Sequence, residues 1–187
     1  QRECAQLGQA ALVENLDALL RDAVRQQMVA DVPLGAFLSG GVDSSLVVAM
    51  MQATSSRQTR TFTIGFSEEG FNEAPYAMEV ARHLGTDHTE LYVSAKDAAA
   101  IITELPHIYD EPFADSSQIP TSLDARMTRS HVTVALSRDG GDELFGGYPR
   151  YQTGDMLWRR IERMPGWQRH AAARLARSLS PSAWDRV

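Results

Sequence analysis

Residues 39–45, Ser-Gly-Gly-Val-Asp-Ser-Ser, put three hydroxyls, two adjacent glycines and a carboxylate into one short stretch. An apolar run over 34–38 feeds into it and an amphipathic segment leaves it, the pattern of a strand, a loop and the start of a helix. Adjacent glycines let the backbone come close to an anion, and the unpaired N–H groups of the next helix turn point at the same place. Polyphosphate is the obvious guest. The stretch has no lysine, so it is not the loop ending in Gly-Lys-Ser/Thr that holds phosphates in kinases and GTPases. Asp43 would repel phosphate unless a divalent cation lay between them, which points to a magnesium nucleotide. Taken alone, the glycine pair also reads as a surface turn that ends a buried strand.

A second stretch bears on that choice. Val132-Thr133-Val134-Ala135-Leu136 reads as a short strand and runs at once into Ser137-Arg138-Asp139-Gly140-Gly141-Asp142-Glu143-Leu144-Phe145-Gly146-Gly147-Tyr148. In an open parallel sheet the loops at the carboxyl ends of the strands gather in one crevice, so two loops far apart in sequence can face one ligand. Glycines at both loops, with Asp139, Asp142 and Glu143 at the second, suit a metal-bound phosphate.

Together the two loops resemble the synthetase domain of glutamine-dependent asparagine synthetases, within the larger group of ATP pyrophosphatases, whose Ser-Gly-Gly-x-Asp-Ser signature stands here at 39–44. The resemblance continues through Thr61-Phe62-Thr63-Ile64-Gly65-Phe66, residues 76–83, Leu84-Gly85-Thr86-Asp87-His88 and Asp110-Glu111-Pro112-Phe113-Ala114-Asp115-Ser116-Ser117, in the right order over most of 12–150. It implies an α/β fold: a three-layer, doubly wound parallel sheet of the adenine nucleotide alpha hydrolase-like, ATP pyrophosphatase type. It implies ATP and Mg2+ as cofactors. The chemistry implied is activation of aspartate as an acyl adenylate with loss of pyrophosphate, then attack by ammonia to give an amide.

Carried over residue by residue, the resemblance places Ser39, Gly40, Gly41, Ser44 and Ser45 around the pyrophosphate portion of ATP. Asp43 and Asp142 become magnesium ligands, and Asp139 stands where the family carries a catalytic acidic residue, with Asp142 beside it. Leu38, Ile64 and Gly140 join the nucleotide-binding set, although Leu38 and Ile64 also read as plain core. Glu73 reads either as an aid to the nucleotide site or as a helix first-turn acid, and Asp115, Ser116 and Ser117 resemble the acyl-acceptor side. Arg138 stands where the family usually has glycine, so its side chain points to solvent or reaches a phosphate; solvent is the expectation.

The same resemblance implies the core of a larger enzyme, in which a glutaminase domain delivers the ammonia and a homodimer is admitted. Cys4 is not that domain's nucleophile, since it is not terminal, and Lys96 is the sole lysine, far upstream of where the family places one against phosphate. Two alternatives stay open: amidation or ring closure of another small carboxylate, and a non-catalytic nucleotide-binding module. The second is disfavoured by the cost of clustering Asp43, Asp139 and Asp142 with nothing to offset them.

The elements that must hold these loops follow from length and pattern. The chain of 187 residues can bury a core without disulfides, and one cysteine suits a reducing cytoplasm. No apolar run approaches the roughly 20 residues a membrane span needs. Net charge is −6; seven arginines against three carboxylates leave +4 in 151–187 and −10 before it, which argues against a nucleic-acid partner. The spacing predicts a helix over 11–30 with one buried stripe, a strand at 34–38, a helix at 44–54, a strand at 59–66 and a helix at 72–84 with Pro75 in its first turn. A strand at 89–93, helices at 96–105 and 116–129 and a strand at 132–136 complete a core domain over 1–150. Residues 151–187 read as the start of a helical C-terminal region of the same domain, basic on one side and apolar on the other. That apolar side, with Trp158, Trp167 and Trp184 in the same region, suits packing onto more protein better than a membrane surface.

Overall fold

The computed structural model describes residues 8–67, 72–112, 114, 115 and 117–178, with side chains at 172, 175, 176 and 178 left aside; Cys4, Phe113, Ser116 and Trp184 lie outside the described residues. The chain divides into two compact units, Gln1–Arg138 and Asp139–Val187.

The first unit is built on four parallel strands, β1 (Leu34–Phe37), β2 (Arg60–Phe66), β3 (Asp87–Val93) and β4 (Val134–Leu136), in the order β3-β2-β1-β4. Every strand is parallel to its neighbour, so helices must cross over between them. These are α1 (Gln9–Gln27), α2 (Val42–Thr54), α3 (Ala74–Leu84), α4 (Ala95–Ile101), α5 (Leu105–Ile108) and α6 (Gln118–Thr128). Alternation along the strands sorts side chains between two faces. Leu34, Ala36 and Leu38 pack with Val24 of α1, Val48 and Met51 of α2 and Ala77 and Ala81 of α3. On the other face Ile64, Phe66 and Val93 pack with Ile101 of α4 and with Ile119, Leu123 and Met127 on α6. The result is the three-layer doubly wound sheet expected from sequence. β2 carries five consecutive buried residues, the mark of a parallel strand covered on both sides.

The chain winds outward from β1 through β2 to β3 and then returns to the far side of β1 as β4. That reversal makes the carboxyl ends of β1 and β4 the switch point of the sheet, where such folds bind ligands.

Several boundaries differ from the sequence reading. β3 starts two residues earlier, because Asp87 and His88 pair with Arg60 and Thr61. β4 starts two residues later: Thr133 and Val134 both donate their N–H to the carbonyl of Pro33, and a proline has no N–H to return to a ladder. The single helix expected at 96–105 is two, α4 ending at Ile101 and the one-turn α5 beginning at Leu105 with Pro106 in its first turn. β-Branched Ile102 and Thr103 occupy the break, and the Thr103 hydroxyl donates to the carbonyl of Ala100. The α1 stripe is buried only toward its C-terminal end, at Val24; Leu12, Val13, Leu16 and Leu19 are exposed.

The second unit contains α7 (Gly141–Phe145), α8 (Pro149–Glu162) and α9 (Gly166–Ser178). Both expected helices of the tail are present, and Met156, Leu157, Trp158 and Trp167 lie on their exposed surfaces.

Candidate active site

Leu38 still donates its N–H to the Phe62 carbonyl at 2.8 Å, so the chain leaves the sheet at Ser39. Gly40 then takes φ +79°, the left-handed region that side chains rarely adopt. It also lies against the backbone of α3: a Cβ at Gly40 would stand 2.7 Å from the Tyr76 carbonyl carbon and 2.8 Å from the Ala77 nitrogen. Gly41 is different. It caps α2 in ordinary extended geometry (φ −72°, ψ 164°), and a Cβ there would meet only Ser39 Oγ at 3.4 Å. Its missing side chain therefore serves access rather than conformation.

No side chain caps α2, so the N–H groups of its first turn face outward without a protein partner on the cap residue. Ser44 is 2% exposed and acts as the clasp of the loop. Its Oγ accepts the N–H of Ser39 at 3.2 Å, lies 2.9 Å from Ser39 Oγ and donates to the Gly41 carbonyl at 3.3 Å. Ser45 Oγ donates to the same carbonyl at 2.7 Å. Asp43 is half-buried in the first turn of α2, where the positive end of the helix favours a carboxylate. Leu38 and Ile64 have their side chains in the two cores, 1% and 7% exposed.

Arg138 is exposed, as expected, and its φ is negative, so the turn that holds it avoids the conformation that would demand glycine. Within the second unit Gly140 (φ +87°) caps α7 and Gly146 (φ +68°) ends it, both left-handed. Asp139 is exposed. Asp142 is half-buried with its carboxylate against Gly147, whose N–H donates to the Asp142 carbonyl at 2.9 Å; a Cβ on Gly147 would collide with that carboxylate. Glu143 accepts the Tyr148 hydroxyl at 2.9 Å, which raises the tyrosine's pKa, and the Arg150 guanidinium stands 4.1 Å over the Tyr148 ring. The structure thus brings Ser39, Gly40, Gly41, Asp43, Ser44 and Ser45 together in the first unit and Asp139, Gly140 and Asp142 together in the second.

Phosphate suits a glycine turn that admits no Cβ, followed by uncapped amides. Magnesium suits Asp43, since this ion takes one or two carboxylates and completes its shell with phosphate oxygens and water. Asp115 accepts the N–H of Ser117 at 2.8 Å, which holds its carboxyl below the usual range and fixes the entry to α6.

One ionisable group escaped the sequence reading. Asp124 on α6 is largely buried with Oδ1 unpartnered, and burial, then the charge of Glu73 at the start of α3, pushes its carboxyl up to about 7. Nothing in the helix pattern marks it, because its burial arises only when α6 packs on β2. The folded chain therefore keeps this proton over a range where an unfolded aspartate, at 3.8, has lost it. The stabilising effect is complete below about pH 4 and is lost as pH rises through about 7. Asp124→Asn is expected to raise stability at pH 8 by on the order of 2 kcal/mol and to leave it nearly unchanged at pH 4, measured by urea unfolding. An equal effect at both pH values would show that Asp124 is ionised in the fold.

The asparagine synthase family model matches residues 15–186. A Methanocaldococcus jannaschii protein with the provisional name asparagine synthetase [glutamine-hydrolyzing] 2 is 46% identical over 144 residues, 76% of this chain and 28% of that protein. Asparagine synthetase [glutamine-hydrolyzing] 1 of Bacillus subtilis is 39% identical over 157 residues, 82% of this chain and 24% of that protein. The chain thus spans about a quarter of the length of these curated relatives. Among solved structures, an NH3-dependent NAD synthetase from Campylobacter jejuni superposes with a TM-score of 0.50 at 14% identity, covering 72% of this chain and 60% of that one. At that identity the likeness concerns the fold. No helix among the described residues is long and apolar enough to cross a membrane.

Proposed function

The chain belongs to the asparagine synthase family, and from that premise we propose that it is the ATP-using part of an enzyme that converts aspartate to asparagine. The observation that carries this reading is the loop at 39–45: a left-handed glycine against α3, an uncapped helix start and a half-buried carboxylate at the sheet's switch point.

In this proposal the side-chain carboxylate of aspartate attacks the α-phosphorus of ATP, the bond to the β-phosphate breaks, and pyrophosphate leaves. A carboxylate is a poor acylating agent because oxide is a poor leaving group; in β-aspartyl-AMP the leaving group is AMP instead. Ammonia then adds to the carbonyl, the bond to AMP breaks, and the surplus proton passes to a base. Asp139 takes that last role. The amides of the first turn of α2, with the hydroxyl of Ser39, bind the pyrophosphate oxygens; Ser45 joins them once its hydroxyl turns from the Gly41 carbonyl, and Ser44 keeps the loop in shape. Gly140 borders the adenylate, and Leu38 and Ile64, whose side chains are in the two cores, offer it backbone only. Asp43 and Asp142 would hold magnesium, which would supply positive charge where negative charge gathers on the leaving pyrophosphate. Ammonia comes from glutamine through a glutaminase domain, and the intact enzyme works in the cytoplasm, as a homodimer, without nucleic acid or membrane. Residues 1–150 form the synthetase core and 151–187 the start of its helical C-terminal region.

The test is calorimetry of ATP binding with and without magnesium. Asp43→Asn is expected to weaken the magnesium-dependent binding about tenfold or more and not to weaken metal-free binding, from which it removes a repulsion. Equal affinity of variant and parent in the presence of magnesium would remove Asp43 from the metal set. Product analysis with aspartate then separates this substrate from any other carboxylate.

A further inference from the structure

On the α3 side of the sheet, β2 and β3 place Thr61 beside His88, Thr63 beside Glu90 and Gly65 beside Tyr92. Thr61 Oγ1 lies 2.9 Å from Thr86 Oγ1 and 2.9 Å from His88 Nδ1. The side chains of His88 and Glu90 are 9% and 14% exposed. Their facing atoms, His88 Nε2 and Glu90 Oε1, stand 3.7 Å apart, and both are buried without a hydrogen-bond partner. A separation of 3.7 Å is too long for a hydrogen bond, and each orphaned buried group costs about 1–3 kcal/mol.

Burial pushes the His88 imidazole below its ordinary value, more than the Glu90 charge and the Thr61 hydrogen bond pull it back, which favours the neutral ring. When the ring is assigned as the Nδ1–H tautomer, Nδ1–H donates to Thr61, Thr61 donates onward to Thr86, and Nε2 keeps a lone pair. In that tautomer two acceptors face each other, and a group with two hydrogens to give satisfies both. A cavity of about 390 Å³ opens at this point, lined by Met78, Ala81 and Arg82 of α3 and by Thr86, His88 and Glu90. Among the described residues the Arg82 guanidinium has one hydrogen bond, to Met78 Sδ at 3.5 Å, and no carboxylate partner. The cavity therefore lies over the buried His88–Glu90 pair, with a cation on its wall and apolar surface from Met78 and Ala81. A metal ion fits poorly, with two ligands and an arginine beside it.

We propose that this cavity is a binding site for a free α-amino acid, whose ammonium group donates to His88 Nε2 and Glu90 Oε1 while its carboxylate pairs with Arg82. The site is set apart from the phosphate loop by one strand: it is built on β3 and α3, the loop leaves β1, and β2 lies between them. It stands whether or not the loop binds ATP.

The experiment follows the imidazole signals of the protein by two-dimensional 1H–13C NMR, with His88 identified by its loss in His88→Gln. Each standard L-amino acid is added to about 10 mM, with ethylamine and propionate as probes that carry only one of the two charged groups. At least one amino acid is expected to shift the His88 signal saturably, with ethylamine and propionate both at least tenfold weaker. Glu90→Gln and the surface variant Arg82→Ala are each expected to weaken the response about tenfold, and Asp43→Asn to leave it unchanged. The last variant separates this site from an aspartate site beside the loop. No saturable shift with any amino acid overturns the proposal, as does a shift that ethylamine reproduces, that Arg82→Ala leaves intact, or that Asp43→Asn abolishes.

Discussion

Gly40→Ala is expected to lower stability by roughly 2–4 kcal/mol and magnesium-ATP affinity by about two orders of magnitude. Two costs combine at this position. The φ of +79° is strained for any side chain, and the added methyl would lie 2.7 Å from the carbonyl carbon and Cβ of Tyr76. Both obstacles are backbone or directly attached to it, so no rotamer change relieves them, and either the loop or α3 must move. Gly41→Ala is the control, since its φ is ordinary and its methyl would meet Ser39 Oγ at 3.4 Å. It should cost less than about 1 kcal/mol of stability while still narrowing the approach to the phosphate. Thermal unfolding and calorimetry on both variants check this. Equal melting temperatures for the two would mean that α3 does not press on Gly40.

Asp139→Asn is expected to reduce turnover about 10²-fold or more while ATP affinity changes by less than a factor of about three. Asparagine keeps the size of the side chain and one acceptor oxygen, turns the other into a donor, and cannot accept a proton. Asp139 is exposed, so the substitution creates no cavity and should leave the melting temperature within about a degree of the parent. Steady-state production of pyrophosphate and of amide, with calorimetry of ATP, separates the two roles. A loss of affinity equal to the loss of turnover would move Asp139 from the reaction to the grip on the nucleotide.

The loop at 39–45 was legible because its chemistry is local: glycines, hydroxyls and an acid within seven residues, after an apolar strand. The helix ends that carry strong punctuation were legible too, as at α3, where Pro75 opens the first turn and Gly85 closes the helix in the left-handed region. What stayed hidden depends on pairing across the sheet. Asp87 and His88 look like turn residues, yet Arg60 and Thr61 draw them into β3. That pairing is what buries His88 beside Thr61. Glu90 likewise reads as a polar member of an alternating strand, and only the packing of α3 reveals that its side chain is covered. Gly40 and Gly41 look equivalent in sequence, whereas one is required by conformation and the other by access. The function of Ser44 was read from its place in the signature; its burial shows that its hydroxyl is committed to the loop itself.

The unequal lengths of the ladders have a consequence for motion. β2 and β3 are in register over seven residues, whereas β1 meets β2 over three and β4 over three. The strand that carries the phosphate loop therefore has the shortest runs of backbone pairing on both sides. Its place is kept instead by side chains, Ala36 and Leu38 against α2 and α3. In deuterated solvent the amides of β2 and β3 should exchange last, through the largest opening of the fold, and those of β1 and β4 earlier, through a smaller one. A central strand that loosens before β3, at the edge of the sheet, inverts the usual order of protection. Here it would let the loop breathe around a nucleotide while the β2–β3 pair stays closed.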